Sequence, residues 1–191
     1  RYCGLLFTGG RRVAPPPPRA LRGRPYLVAY LGTSQRDESQ VPRAPACLGR
    51  FMRAALRKCG RKASPLLDVV IPPDMGEELH KHPGAFLRRV PERYDIMLDT
   101  RARPRQHLRA RGRGRALRLR ADVLPIPYAQ MEGLFRHALP DVLVTGDQSL
   151  TDVLGWCHAS GKRIWYQRAP WKAALGDALA RALRQPALRT S

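Results

Sequence analysis

The sequence predicts an α/β domain: an open parallel sheet with helices on both faces. Three observations predict it. Short apolar runs alternate with amphipathic stretches at helical spacing, glycines and prolines punctuate the boundaries, and the connections are short. That order is met by strands joined through right-handed helical crossovers.

The first strand is expected at 26–31, where Tyr26-Leu27-Val28-Ala29-Tyr30-Leu31 ends on Gly32 and has the look of a buried parallel strand. A helix should follow over 46–58, with Leu48, Met52, Ala55 and Leu56 on one face, arginines opposite and Cys59-Gly60 as the stop. A second strand is expected at 66–71, closed by Pro72-Pro73, then a weaker helix over 75–90 and a third strand at 94–98. After an arginine-rich interval the pattern resumes with a strand at 121–126 and a short helix at 130–137 carrying Met131, Leu134 and Phe135. A strand at 141–145, a helix at 150–159, a strand at 163–167 and an amphipathic helix at 171–184 complete the order. The whole is Rossmann-like and is expected to occupy residues 25–185, with 186–191 as a tail.

Two segments interrupt this pattern. Residues 1–24 contain Pro15-Pro16-Pro17-Pro18 flanked by arginines, a stiff polyproline II stretch that reads as a basic linker or as the end of an upstream domain. Tyr2 to Phe7 would then be the last strand of that domain. The first residue is Arg1, which agrees with a processed chain or a piece of a longer one. Residues 101–120 hold nine arginines with Gly112 and Gly114 between them, and read as a surface loop or disordered insertion.

The net charge is +20, from 35 basic against 15 acidic residues. It favours polyanionic partners, either nucleic acid or an anionic membrane surface. A compositional bias towards arginine, alanine, glycine and proline yields the same balance. The four cysteines, Cys3, Cys47, Cys59 and Cys157, form no C-x-x-C pair and fit buried thiols in a reducing compartment, cytoplasm or organelle interior. No apolar run approaches the roughly 20 residues of a membrane span, so the chain reads as soluble, with membrane association left to its charge. The histidines are dispersed, no cysteine–histidine grouping has zinc spacing, and no nucleophile, base and orienting group follow from the spacing. Trp156, Trp165 and Trp171 read as core or core-edge residues, with stacking on a base an alternative for Trp171.

In an open α/β sheet ligands bind beyond the carboxyl ends of the strands, at the switch point. Two loops fall on that edge: Gly32-Thr33-Ser34 and Gly146-Asp147-Gln148-Ser149. Each has a glycine that permits close backbone approach and a hydroxyl. The second leads into a helix whose free N–H groups attract phosphate. Alternatively, Asp147 or Ser149 simply caps that helix. Asp152, one turn on, is either an acceptor for ribose hydroxyls or a surface carboxylate.

The stretch 123–183 resembles the nucleotide-sugar half of GT-B glycosyltransferases. The residues that carry it are Leu124-Pro125-Ile126-Pro127-Tyr128 with Met131 and Leu134-Phe135, then 141–152 from Asp141-Val142-Leu143-Val144-Thr145 through Gly146-Asp147-Gln148-Ser149 to Asp152, then Gly161-Lys162-Arg163-Ile164-Trp165-Tyr166 and Pro170-Trp171. The order is similar to that of the bacterial lipid-linked N-acetylglucosaminyltransferases and of the protein-arginine rhamnosyltransferases. The resemblance implies a base pocket at Ile126 to Met131, a diphosphate turn at Gly146, Asp147, Gln148 and Ser149, and a ribose contact at Asp152. Gly32, Thr33 and Ser34 resemble the phosphate loop that opens such a domain. A nucleotide-diphosphate sugar would be the donor, with no metal and no further cofactor. The catalytic base would lie in an upstream acceptor domain, so no catalytic residue is assigned. The 101–120 tract has no counterpart in these families.

A second reading draws on the charge alone: a non-enzymatic α/β module that docks on RNA, as a component of a ribonucleoprotein particle, through the arginine-rich 11–24 and 101–120 segments.

Overall fold

The computed structural model describes residues 14–33, 43–59, 65–111, 114–157, 160–167 and 173–182. Tyr2 to Phe7, Ser34, Gly60, Pro170, Trp171 and the 186–191 tail lie outside the described residues.

Among these residues seven strands form one sheet: β1 Tyr26–Tyr30, β2 Leu66–Val70, β3 Asp95–Asp99, β4 Gln106–Arg109, β5 Ala116–Arg120, β6 Asp141–Val144 and β7 Arg163–Tyr166. Their spatial order is β4-β3-β5-β2-β1-β6-β7. All neighbours run parallel except β3 and β4, which are antiparallel. The helices are α1 Arg43–Cys59, α2 Pro73–Lys81, α3 Gly84–Leu87, α4 Tyr128–His137, α5 Asp147–Cys157 and α6 Ala173–Ala182. The expected Rossmann-like α/β architecture is therefore present. None of the described helices is long and apolar enough to cross a membrane.

Because side chains alternate along a strand, each side of the sheet has its own core. Leu27, Ala29, Val69, Leu117, Leu119, Ile96 and Leu98 pack against Leu48, Phe51, Met52 and Ala55 of α1, Met75 and Leu79 of α2, and Phe86 of α3. Tyr26, Val28, Val142 and Val144 face the other way, onto Leu134 and Phe135 of α4 and Leu150, Val153 and Leu154 of α5. In α1 the buried positions recur every three or four residues, which keeps one stripe on the sheet and leaves Arg53, Arg57 and Lys58 exposed.

Four expectations are corrected. The 101–120 tract is not only loop and not an insertion outside the sheet: it supplies β4 and β5, and β5 lies inside the sheet between β2 and β3. Ala116-Leu117-Arg118-Leu119-Arg120 has the period of a strand, with Leu117 and Leu119 in one core and the arginines on the opposite face. Arg118 grips the buried Asp68 of β2 through two 2.6 Å hydrogen bonds, and Arg120 holds Asp122 at 2.7 and 2.8 Å. In β4, Arg109 donates to the carbonyls of Pro91 at 2.7 Å and Tyr94 at 3.0 Å. Guanidiniums that compositional reasoning assigns to solvent are thus tied to carboxylates and carbonyls of the domain.

Second, residues 121–126 are not a strand but an irregular loop that leaves β5. Third, the helix expected at 75–90 is two helices, because Pro83 has no N–H to continue α2. Fourth, residues 14–24 do not run free as a linker. Leu21 is buried in the α4–α5 core. The carbonyls of Pro15 and Pro16 press on Gly133 of α4, where a Cβ would collide with both.

Candidate functional site

The sheet order reverses between β1 and β6: the chain leaves β1 towards β2 on one side, and β6 later joins β1 on the other. The carboxyl ends of these two strands carry the predicted loops. Gly32 and Thr33 follow β1, and Thr145 and Gly146 follow β6. Gly146 has φ +75°, a left-handed conformation that glycine adopts without strain, and it delivers the chain into α5. The Leu150 N–H donates to the Gly146 carbonyl at 3.2 Å, so the first turn of α5 starts at the glycine.

Gln167, immediately after β7, fixes the opposite loop. Its Oε1 accepts from the Gly32 N–H at 2.9 Å, and its Nε2 donates to the Gly32 carbonyl at 3.2 Å. Its own N–H donates to the Val144 carbonyl at 2.8 Å, and the residue is 2% exposed. One buried amide thereby ties the ends of β1, β6 and β7 together. From the tethered loop, Thr33 Oγ1 donates to Asp74 Oδ2 at 2.5 Å, and Asp74 Oδ1 accepts the Met75 N–H at 3.0 Å.

A groove of about 470 Å³ opens beside this edge. Tyr30 lines it at the end of β1, and Leu124, Pro125 and Ile126 form one wall. Tyr128, Met131 and Phe135 of α4 and Gln148, Ser149, Asp152 and Trp156 of α5 form the other, with Pro72, Pro73 and Asp74 at the β2 end. The wall is aromatic: Trp156 stacks on Phe135 with ring centroids 5.9 Å apart and meets Tyr128 at 5.5 Å. Among the described residues the lining contains two carboxylates, Asp74 and Asp152, and no lysine, arginine or histidine.

Asp152 is held in place. Gln148 Nε2 donates to its Oδ1 at 2.9 Å across one helical turn. The Tyr128 hydroxyl is raised above its ordinary pKa by desolvation and by its hydrogen bond to Asp152. Asp147 is turned elsewhere: its Oδ1 accepts from the Tyr166 hydroxyl at 3.2 Å. Burial, with the nearby Asp147 carboxylate, pushes Tyr166 up to about 12.

The apolar wall at 124–126 has no regular structure of its own, and its shape comes from arginines. Arg101 donates to the carbonyls of Asp122 at 2.8 Å, Pro125 at 3.3 Å and Val123 at 3.4 Å. Burial raises the Asp122 carboxyl, but the hydrogen bond and charge of Arg120 outweigh that and hold it below its ordinary range.

Five of the predicted site residues, Ile126, Met131, Gln148, Ser149 and Asp152, come together in one groove. Gly32, Thr33, Gly146 and Asp147 stand along the adjoining sheet edge rather than in the lining, and Ser34 lies outside the described residues. Tyr30, Asp74, Phe135 and Trp156 in the groove, and Gln167 and Arg101 behind it, were missed as site residues. Trp156, expected at the core or its edge, packs against the α4–α5 core and also lines the groove, while Trp165 packs its ring edge-on to Phe51, with centroids 6.1 Å apart. Among the described residues no three histidine, cysteine or acidic side chains are grouped to hold a metal ion. No protein-family model, no curated protein and no solved structure matches this chain.

Proposed function

We propose that this chain is the nucleotide-sugar-binding domain of a metal-independent, GT-B-type glycosyltransferase. The observation that carries the reading is the groove: an aromatic, apolar slot at the switch point, with an oriented carboxylate at one side and a helix N-terminus beside it. The base enters between the 124–126 wall and α4, and Asp152, steadied by Gln148, accepts from the ribose diol. Among the described residues the lining has no cation, so the diphosphate lies outside the groove, at the Gly146 turn and the first-turn N–H groups of α5. Those groups and the Ser149 hydroxyl stabilise the negative charge that builds on the departing diphosphate. Attack on the sugar requires an acceptor domain facing this edge.

The RNA-docking alternative ranks second because Arg101, Arg105, Arg109, Arg118 and Arg120 all hydrogen-bond within the domain. The deciding experiment is calorimetric titration with UDP, TDP and GDP at physiological salt. Saturable one-to-one binding with a preference for one base is expected. Absence of heat with all three would overturn the reading.

A further inference from the structure

Across the sheet from the groove, α1 and the exit of α3 present a surface of one sign. From Arg50 to Lys58, α1 carries four cations and no carboxylate, and the sequence continues with Arg61 and Lys62. Arg53, Arg57, Lys58 and, after α3, Arg88 are exposed. The two helices meet closely because position 49 is glycine: a Cβ there would lie 2.8 Å from the Arg89 Cβ and 3.0 Å from the Phe86 carbonyl oxygen. That contact brings the arginines of both helices together. Arg53 donates to the carbonyls of Arg89 at 2.8 Å and Arg88 at 3.4 Å, and Arg89 donates to that of Ala85 at 2.8 Å. Arg89 sits below its ordinary pKa, first through burial and then through Arg50, Arg88 and Arg53.

We propose that this α1–α3 face docks the phosphate backbone of nucleic acid, independently of base sequence. Three features select that partner. Arg53 and Arg57 stand one turn apart on α1, about 6 Å along its axis at 1.5 Å rise per residue, with Arg88 exposed on the adjoining helix exit, a strip rather than a plane. The planar fork of arginine matches phosphodiester oxygens. The large apolar side chains that are exposed among the described residues, Tyr128 and Leu175, lie outside α1 and α3, so neither helix offers an anchor for a bilayer. In the arginine-rich tract, Arg103 and Arg105 instead meet carboxylates: Arg103 pairs with Glu77 at 3.2 Å, and Arg105 with Asp99 at 2.6 Å. The face lies opposite the groove, so the inference is independent of the sugar-nucleotide reading.

The test is fluorescence anisotropy of a labelled oligoribonucleotide against the full chain across a salt series. The variant Arg57→Gln/Lys58→Gln/Arg88→Gln removes exposed cations and no main-chain contact, and Arg103→Gln/Arg105→Gln is the tract control. The expected result is a loss of about tenfold or more in affinity at 0.1 M salt for the α1–α3 variant. Its salt slope should become shallower by about 2, at roughly 0.7 for each phosphate contact on a single strand. The control should change little, with circular dichroism verifying both folds. Each single variant, Arg57→Gln and Arg88→Gln, should move the slope in the same direction. An equal loss in the control, no binding by the parent chain at low salt, or tighter capture by phosphatidylserine vesicles than by the oligonucleotide would each overturn the proposal.

Discussion

The side-chain amide of Gln167 and the peptide group of Gly32 exchange two hydrogen bonds across the strand that separates them. Because Gln167 is buried, truncation leaves the Gly32 N–H and C=O without these partners. Gln167→Ala should lower stability by about 1–3 kcal/mol and weaken nucleotide binding through the freed Gly32–Thr33 loop. Urea unfolding read beside calorimetric titration checks both parts. Gln167→Glu keeps an acceptor but loses the donor, so it should recover only a fraction of the loss.

Arg101 should act on the groove without touching its contents. Arg101→Ala releases the carbonyls of Asp122, Val123 and Pro125, and the 124–126 wall loses its brace. Nucleotide affinity is expected to fall about tenfold, equivalent to about 1.4 kcal/mol, while the thermal midpoint shifts only slightly. Arg101→Lys should not rescue, since a single ammonium lacks the fork that spans three carbonyls. Equal nucleotide affinity in the parent and Arg101→Ala chains would remove this role and leave the groove assignment standing.

Asp152→Ala and Ser149→Ala should each weaken nucleotide-diphosphate binding and leave the fold intact. Both side chains line the groove on the face of α5 that points away from its core. Titration calorimetry with the preferred diphosphate reads the loss, and near-ultraviolet circular dichroism reads the fold. Unchanged affinity in both would contradict the roles given to them.

Acid should destabilise the domain through named carboxylates. Asp141 is buried, which raises its pKa, but hydrogen bonds from Arg163 and Trp165 and the charge of Arg163 prevail and hold it below its ordinary range. Asp122 is depressed in the same direction. A carboxylate with a lowered folded-state pKa stabilises above its unfolded value, near 3.9, and that contribution disappears as pH falls through the lower folded value. Denaturant midpoints should therefore be flat between about pH 5 and 7 and decline below about pH 4. Asp141→Asn should lower stability at neutral pH and make the decline shallower.

Gly146→Ala places a side chain at φ +75°. Among the described residues no atom beyond the chain neighbours lies within 4 Å of the added methyl, so the cost is backbone strain, about 1–2 kcal/mol. Relief of that strain by a shift of the turn would re-aim the first N–H groups of α5. Diphosphate binding should then fall more than nucleoside binding does, and paired titrations with the two ligands measure the difference.

The alternation of strand and helix was legible because β1 and β6 are short, mainly apolar runs and α1 carries a clear helical stripe. Ile126, Met131, Gln148, Ser149 and Asp152 were legible because they lie close in sequence on the elements that end at one sheet edge. β5 was not, because arginine content masked a period-2 pattern whose charges are neutralised by Asp68, 50 positions away. Gln167 could not be found either: it acts on Gly32 from 135 positions off, and a glutamine after a strand carries no local signal. Asp74, behind Pro72-Pro73, joins the groove only once β2 and β1 are side by side.

The position of β5 has a consequence for how the chain assembles. It is made after β2 and β3 but lies between them, so the two earlier strands must wait with facing edges unmatched until residues 116–120 arrive. Open strand edges invite pairing with other chains. The slot, however, is keyed: Asp68 in β2 stands opposite Arg118, with Arg120 at 3.6 Å on the same face, and a slip by one residue would leave the carboxylate facing leucine in the sheet interior. A foreign apolar strand that entered the gap would strand the same charge. The ion pair thus penalises any register that turns the arginine face of β5 away from Asp68.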